Sequence, residues 1–568
     1  MIKEKKLFIF LFFVPLILFL SIFDYKILDP NYLDWFKEDT FQHWLGWSFF
    51  RETSVFQFPI LNNYAFGMNS SGSLIFSDSI PFLALLFRPF SEFFDFHFQY
   101  FGWWILLCVF LQFIISYKII NLVSTSKIYN LIAACFFILS PVFLFRYNMG
   151  HESLMAQWIV LIALYLFLQK PRSPNKYWLL LILFSLLVHG YFFAMLSIIY
   201  FVEMLRNYFL DKARLKNILY SFFTLLTSSF FLMYLIGYFT IDDVFHGGYG
   251  GYRLNLLSIF NPYGSPFGIE SLIPQFYFFE KTKNIGDFEG FNYLGAGMIF
   301  MLIVLLFNKI INFNTNSIVK SLKNNYFTIL IIFIITIYSL SNKIALGPYE
   351  IFQYNLPEIF KVFTSPFRAS GRMFWPAYYL IYILILFNIF KSFHVKYAIS
   401  IILFSLLLTT YDIKDHITLT RASKGIEISK IEEKNFNSNE WKIFASKYKH
   451  INYVFPVHVP HNWQQLSYFA AKNKLNINAG YWARHNEIAE RKYTEETKIR
   501  IESNVYDKNT LYFFNDIDYW ILAKEKNELG KNLVKEFIIQ KCIFGQNECN
   551  FRILAPNYLE KHEDAITK

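Results

Sequence analysis

Apolar runs of membrane-spanning length recur along roughly the first 410 positions and then stop. They lie near residues 7–23, 98–120, 128–145, 153–169, 217–239, 293–308, 326–341, 373–390 and 396–411. Each has the near-continuous apolar character an α-helix needs to cross a hydrocarbon layer about 30 Å thick. Residues 177–205 form a further apolar stretch between two basic loops, one with Lys170, Arg172 and Lys176, the other with Arg206, Lys212, Arg214 and Lys216. Basic loops favour the cytoplasmic side, so an even number of crossings must separate these two. Two short spans meeting near His189 and Gly190 satisfy this; a single tilted span is the rival reading and inverts every later loop. The split reading brings the expected total to about eleven spans.

The same charge rule orients the chain. Lys3, Lys5 and Lys6 precede the first run and no small-residue cleavage site follows it, so an uncleaved first span with a cytoplasmic amino terminus is expected. Residues 24–97, 146–152, 240–292 and 343–372 then fall outside, and Lys309, Lys320, Lys323, Lys391 and Lys396 inside. From 412 to 568 the pattern changes. Charges of both signs mix, and apolar runs shorten to strand length in Ile451–Val459, Thr510–Leu522 and Cys542–Leu554. Amphipathic stretches at Ser438–Tyr448 and Gln464–Ala471 read as helices. The expected organisation is a polytopic α-helical membrane domain over 1–411, whose first external loop (24–97) carries interfacial helices, followed by an external soluble α/β domain over 412–568.

Composition agrees with this class. Of 568 residues 55% are hydrophobic and 17% charged, more apolar than a soluble core requires. The formal charge of +11 resides largely in short loops of the membrane half and calls for no nucleic-acid partner. The 70 Phe fit a compositional bias better than a ligand platform. Cys542 and Cys549 flank a Gly-containing turn and are expected to form a disulfide in an external compartment. Cys108 and Cys135 lie in spans as packing residues.

Candidate chemistry collects in the external loops. In F-K-E-D-T-F-Q-H-W-L-G-W, Asp39, Gln42 and His43 stand three and four residues apart and share one helix face, with Glu38 adjacent. Such a face presents a base at a membrane surface, although an aspartate there also serves as a plain helix cap. Asp78 in F-S-D-S-I-P has the look of an N-cap, with use as a second carboxylate or metal ligand left open. Arg146 beside His151 and Glu152, Arg253 after H-G-G-Y-G-G-Y, and Arg368 and Arg372 in F-R-A-S-G-R-M-F-W-P are the cations able to hold a phosphate. Glu289 in E-G-F-N-Y-L-G is a candidate for binding acceptor hydroxyls or for capping the next span. No CxxC pair or His cluster has zinc-site spacing.

One first span, a long external loop with an early acidic residue, short middle spans and an external carboxyl-terminal domain together resemble the GT-C superfamily of membrane glycosyltransferases. Locally, D-T-F-Q-H-W-L-G-W-S-F-F-R, F-S-D-S-I-P, F-Q-Y-F-G-W-W, G-H-E-S-L-M-A-Q-W, E-G-F-N-Y-L-G and F-R-A-S-G-R-M-F-W-P resemble a bacterial family of GT-C-like proteins described only as a domain of unknown function. The likeness covers the membrane region and reaches weakly into the external domain.

The resemblance implies a GT-C-like fold in a bacterial cytoplasmic membrane. It also implies transfer of a sugar from a polyprenyl-phosphate carrier to a glycan, lipid or protein acceptor of the cell envelope, on the external face. GT-C enzymes carry their catalytic acidic residue in the first external loop, the place Asp39 occupies; Asp39 is thus the expected base, with inversion at the sugar. Glu38, Gln42, His43, Asp78 and Glu289 are expected to orient the base or bind acceptor, and Arg146, His151, Arg253, Arg368 and Arg372 to bind the donor phosphate. No obligatory cofactor is expected, while a divalent metal stays open because members differ and this loop has no D-x-D. A transporter or flippase of a lipid-linked saccharide is the competing class, yet the chain has no internal repeat and its charges gather in loops on one side. A non-catalytic membrane assembly factor is the third.

Overall fold

The computed structural model describes residues 2–241, 247–264, 271–277, 284–312, 325–422, 425, 436, 438–455, 459–460, 462–527, 530–539 and 549–561. The chain is mostly helical. Among the described residues six helices are long and apolar enough to cross a membrane: Phe101–Ile120, Lys127–Asn148, Gly190–Phe209, Leu215–Ile236, Ser370–Ser392 and Val395–Asp412. Five shorter apolar helices accompany them, at Leu7–Ile22, Glu152–Leu168, Asn175–Leu186, Ala296–Ile311 and Tyr326–Leu340.

The expected count of about eleven spans is therefore not met by helices of spanning length. At about 1.5 Å of rise per residue, a helix such as Asn175–Leu186 reaches only about 18 Å, short of a hydrocarbon core. Residues 177–205 do divide, and near the expected place: Asn175–Leu186 ends, His189 caps the next helix by accepting from the Tyr191 N–H at 3.2 Å, and Gly190–Phe209 follows. The second of the pair is full-length rather than half-length, because apolar residues continue beyond Tyr200 to Leu210.

By internal packing the chain forms two units. One comprises Met1–Asp29, Phe101–Ser229 and Phe245–Ser423; the other Pro30–Tyr100, Phe230–Val244 and Lys424–Lys568. Within the first unit, Gly297 lets two helices meet backbone to backbone, since a Cβ there would stand 2.0 Å from the Ser405 carbonyl oxygen. The bundle also buries a polar ladder. The Tyr379 hydroxyl bridges Gln112 and Gln157, and the Tyr378 and Tyr382 hydroxyls donate to the carbonyls of Tyr293 and Leu294 at 2.9 and 2.6 Å. These bonds offset the cost of placing polar groups among apolar helices. A two-stranded hairpin, β1 (Lys343–Leu346) and β2 (Tyr349–Gln353), also belongs to this unit.

The second unit is built on a five-stranded mixed sheet. Its strands are β3 (His450–Tyr453), β4 (Asn476–Ile477), β5 (Thr510–Phe514), β6 (Leu533–Ile539) and β7 (Cys549–Ala555), in the order β4-β3-β5-β7-β6. β3 runs parallel to β4 and β5, and β7 antiparallel to β5 and β6. The expected helices appear at Asn439–Lys447 and Trp463–Lys472. The expected strand over Thr510–Leu522 is half right: it stops at Phe514, and Asp516 caps a helix over Ile517–Glu525 by accepting from the Tyr519 N–H at 3.0 Å. Cys542 lies outside the described residues, and with it the expected disulfide. Cys108 and Cys135 are buried.

Candidate functional site

The strongest electrostatic feature of the first unit grows from three short strings laid against one another. A Cβ on Gly290 would stand 2.1 Å from the Arg253 carbonyl oxygen, and one on Gly371 would stand 2.5 Å from the Gly290 Cα. Only glycine permits that closeness. Hydrogen bonds then lock the crossing: Gly371 N–H to the Tyr252 carbonyl at 2.9 Å, and the Asn292 amide to the carbonyls of Gly290 and Gly371 at 3.1 and 3.3 Å. The Ser258 hydroxyl donates to the Gly290 carbonyl and accepts from the Asn292 N–H.

This crossing places Glu289 between two arginines. Arg146, on the last turn of the Pro141–Asn148 helix, donates from Nη1 to Glu289 Oε2 at 2.6 Å. Arg372 donates from Nε to the same oxygen at 2.7 Å and from Nη2 to Oε1. The His151 Nδ1 lies 3.2 Å from Arg146 Nη1. The Arg146 guanidinium stands 4.9 and 5.1 Å from the ring centres of Phe145 and Trp375, and that of Arg372 lies 5.3 Å from the ring centre of Tyr191. Burial alone raises the Glu289 pKa, but the Arg372 and then the Arg146 charges outweigh it and hold the carboxyl well below its usual range. Two guanidinium groups thus meet on one carboxylate. Arg146 is fully buried, whereas the Arg372 side chain keeps 14% of its exposure. Such a cluster can draw an anion to the Arg372 side.

The other expected cations behave differently. Arg253 is fully buried and donates to Asp287 Oδ1 at 3.2 Å, the Lys343 carbonyl at 3.1 Å and Glu350 Oε1 at 2.8 Å. Two carboxylates face this one guanidinium, which ties the 251–254 string to the β1–β2 hairpin. Arg368 is half-buried, with its guanidinium 5.8 Å from the Tyr252 ring centre and its chain beside Gly248; among the described residues no carboxylate pairs with it. Glu289, expected to face an acceptor, has both oxygens engaged by arginine.

The expected base sits in the second unit, on the Glu38–Phe50 helix. Glu38 and Asp39 open its first turn, where negative charge suits the helix dipole. From Thr40 onward every residue of the helix is buried, Gln42 and His43 included, while Asp39 remains half-buried. Glu38 Oε1 accepts from the Gln464 amide at 3.0 Å. Partial burial, and then the Asp39 charge, push the Glu38 carboxyl above its usual range against that hydrogen bond. Phe41 and Trp44 stack on Tyr468 at centroid distances of 6.3 and 6.0 Å, and the indole N–H groups of Trp44 and Trp47 both donate to the Phe98 carbonyl. The helix is thus fixed along its length, with Asp39 at its start.

Gly46 carries the contact to the Asp78 turn. A Cβ there would stand 2.3 and 2.4 Å from the hydroxyl oxygens of Ser77 and Ser79, and the Ser79 hydroxyl donates to the His43 carbonyl at 2.6 Å. Asp78 is not the N-cap of the Pro81–Phe87 helix. It follows a 3-10 turn over Leu74–Ser77 with φ +52°, and the cap position belongs to Ile80 at φ +53°. A left-handed β-branched residue costs on the order of 1–3 kcal/mol, so the surroundings must hold it there. Sequence reasoning missed Asn292, Ser258, Trp375 and Gln464 as supports. Asn292 stood inside a quoted string, but nothing local marked it as a brace between glycines far apart in the chain. Among the described residues no group of three or more His, Cys, Asp or Glu side chains is arranged to hold a metal ion.

A family model described as Domain of unknown function (DUF6311) matches residues 12–414, and one described as the DUF6311 C-terminal domain matches residues 440–533. No curated protein matches the chain.

Proposed function

We propose that the chain, which belongs to the DUF6311 family, is a GT-C-like inverting glycosyltransferase. It works on the external face of a bacterial cytoplasmic membrane, using a polyprenyl-phosphate-linked sugar and an envelope acceptor. The observation that carries this reading is the Arg146–Glu289–Arg372 cluster, which gathers two guanidinium groups on one carboxylate and leaves the Arg372 side chain 14% exposed. A leaving phosphate needs such a partner as negative charge develops on it. In the proposed reaction Asp39 takes the proton from an acceptor hydroxyl, whose oxygen forms a bond to the anomeric carbon as the bond to the carrier phosphate breaks. The electron pair leaves with the phosphate, and configuration inverts because attack and departure take opposite faces. Eleven crossings belong to this reading, the five short apolar helices acting as partial spans within the bundle.

Mass spectrometry of envelope glycans and lipid-linked sugars, from cells lacking the gene and cells complemented with wild type, Asp39→Asn or Arg372→Gln, tests the proposal. A product short of one sugar in the deletion and in both variants, with protein levels maintained, is expected. An unchanged envelope refutes it, and a full-length lipid-linked saccharide trapped unflipped assigns the chain to transport instead.

A further inference from the structure

Between the apolar helix ending at Leu340 and the candidate span starting at Ser370, the chain makes an excursion whose two feet stand together. The Ser370 hydroxyl donates to the Ser339 carbonyl at 3.1 Å. The excursion contains the β1–β2 hairpin and a short helix, Glu358–Thr364. At about 100° per residue, Ile359, Phe360, Val362 and Phe363 fall within an arc of about 160°, and Glu358, Lys361 and Thr364 on the opposite arc. A helix on a water-exposed surface turns its apolar arc inward. Here it does not: the four apolar side chains are 50–74% exposed, and on the other arc Glu358 and Lys361 are exposed as well. Glu358, Lys361 and Thr364 line a cleft of about 770 Å³, with Asn342, Asn355 and Ser365 beside them and Leu356 and Val362 at its apolar edge. The hairpin repeats the pattern, with Tyr349, Ile351 and Phe352 each more than half exposed.

We infer that the Leu346–Phe363 excursion is seated in the bilayer, at the boundary between headgroups and acyl chains, with its apolar arc in lipid and its charged arc and cleft toward the headgroups. Three observations single out lipid as the occupant. An amphipathic helix exposed on both arcs, apolar on one and charged on the other, suits a boundary between an apolar medium and water. Both feet of the excursion continue into apolar helices, Tyr326–Leu340 and the candidate span Ser370–Ser392. Its aromatic content, with Tyr349, Phe352, Tyr354, Phe360 and Phe363, is that of a membrane–water boundary. The cleft then lies at headgroup depth, where hydroxyl- and amide-bearing walls can receive the polar part of a molecule anchored in the same leaflet.

The full chain in lipid nanodiscs, with its four cysteines replaced by alanine, tests this through nitroxides attached at Phe360→Cys and Phe363→Cys. Leu226→Cys, on the exposed apolar side of Leu215–Ile236, gives the lipid reference, and Arg491→Cys in the soluble domain the water reference. Collision with oxygen should exceed collision with a nickel chelate several-fold more at 360 and 363 than at 491, and should approach the ratio at 226. A ratio equal to that at 491 overturns the inference, as does shielding from both reagents, which means that protein such as a second copy covers the patch. Should the cysteine-free chain fail to fold, a diazirine amino acid at position 360 of the native chain gives the same contrast. Lipid adducts support the inference, and water-quenched or peptide adducts overturn it. Neither readout depends on activity, so its failure leaves the glycosyltransferase reading untouched.

Discussion

Replacing Glu289 by glutamine removes one negative charge from the cluster and almost no volume. Two guanidinium groups then share a buried site with no countercharge between them, and Arg146 has no water to turn to. Breaking a buried pair in this way costs about 3–5 kcal/mol. The partial exposure of Arg372 favours the lower end, about 3 kcal/mol. For folding units of this size a kilocalorie moves the midpoint by roughly 2 °C, so Glu289→Gln should lose about 6 °C. Arg372→Gln leaves Glu289 and Arg146 as a neutral pair and should cost only the charged hydrogen bonds, about 1–2 kcal/mol or roughly 3 °C. Detergent-solubilised protein followed by intrinsic fluorescence at one fixed heating rate gives both values, the fixed rate mattering because such unfolding is often irreversible. A Glu289→Gln midpoint equal to wild type, or higher than that of Arg372→Gln, refutes the charge accounting. Acid provides a second check. A carboxyl held below its usual range stabilises the fold above its unfolded value of about 4.5, and that contribution is lost as pH falls through the folded value. Wild type should therefore lose more stability than Glu289→Gln only below about pH 4.5.

His416 titrates in a different window. Its imidazole is almost completely buried, which pushes its pKa down to about 3, so the unfolded chain takes up a proton near pH 6.5 that the folded chain refuses. Stability present above 6.5 should fall by about 1.4 kcal/mol per pH unit below it. The wild-type midpoint should thus drop by roughly 4 °C between pH 6.5 and 5, with a shallower slope in His416→Gln; parallel slopes in a melting series would dismiss the assignment. Gly371→Ala should cost more than any loss of a surface contact, because its Cβ would meet the Gly290 backbone and not a movable side chain. Poor accumulation and early melting in a fluorescence size-exclusion assay are expected, and wild-type behaviour would show that the two strings separate easily.

Much of the fold was legible because hydrophobic period and basic loops are local signals. The break near His189 was found by counting crossings between basic loops, and the chain supplies a capping imidazole there. Helix length was less legible. Residues 293–308 and 326–341 are apolar throughout and read as complete spans, although neither the runs nor their helices, Ala296–Ile311 and Tyr326–Leu340, reach the length of a full crossing. Asp78 was misread because D-S-I-P matches an N-cap by composition, whereas two left-handed residues reverse the chain and give the cap position to Ile80. In the second unit, Asp516 ends a strand that hydropathy would have carried to Leu522. Such decisions belong to backbone angles, which a hydrophobic pattern does not encode.

The candidate site shows the same limit for charge. Four arginines looked alike in the sequence, each in a loop or at a helix end and each suited to a phosphate. What separates them is the local balance of charge, which depends on carboxylates from distant strings. Around Arg253 two carboxylates face one guanidinium, a deficit of positive charge that repels an anion and makes this arginine a brace for the hairpin. Around Glu289 two guanidiniums face one carboxylate, and Arg372 is the less buried of the two. A carboxylate inside the proposed phosphate-binding cluster is not a contradiction. It lets two like charges stand close enough to act together, and it fixes the Arg372 fork by a two-pronged bond, so that an incoming anion meets a guanidinium already oriented. Glu289 thereby acts through the arginines, a role that its place before a span gave no reason to expect.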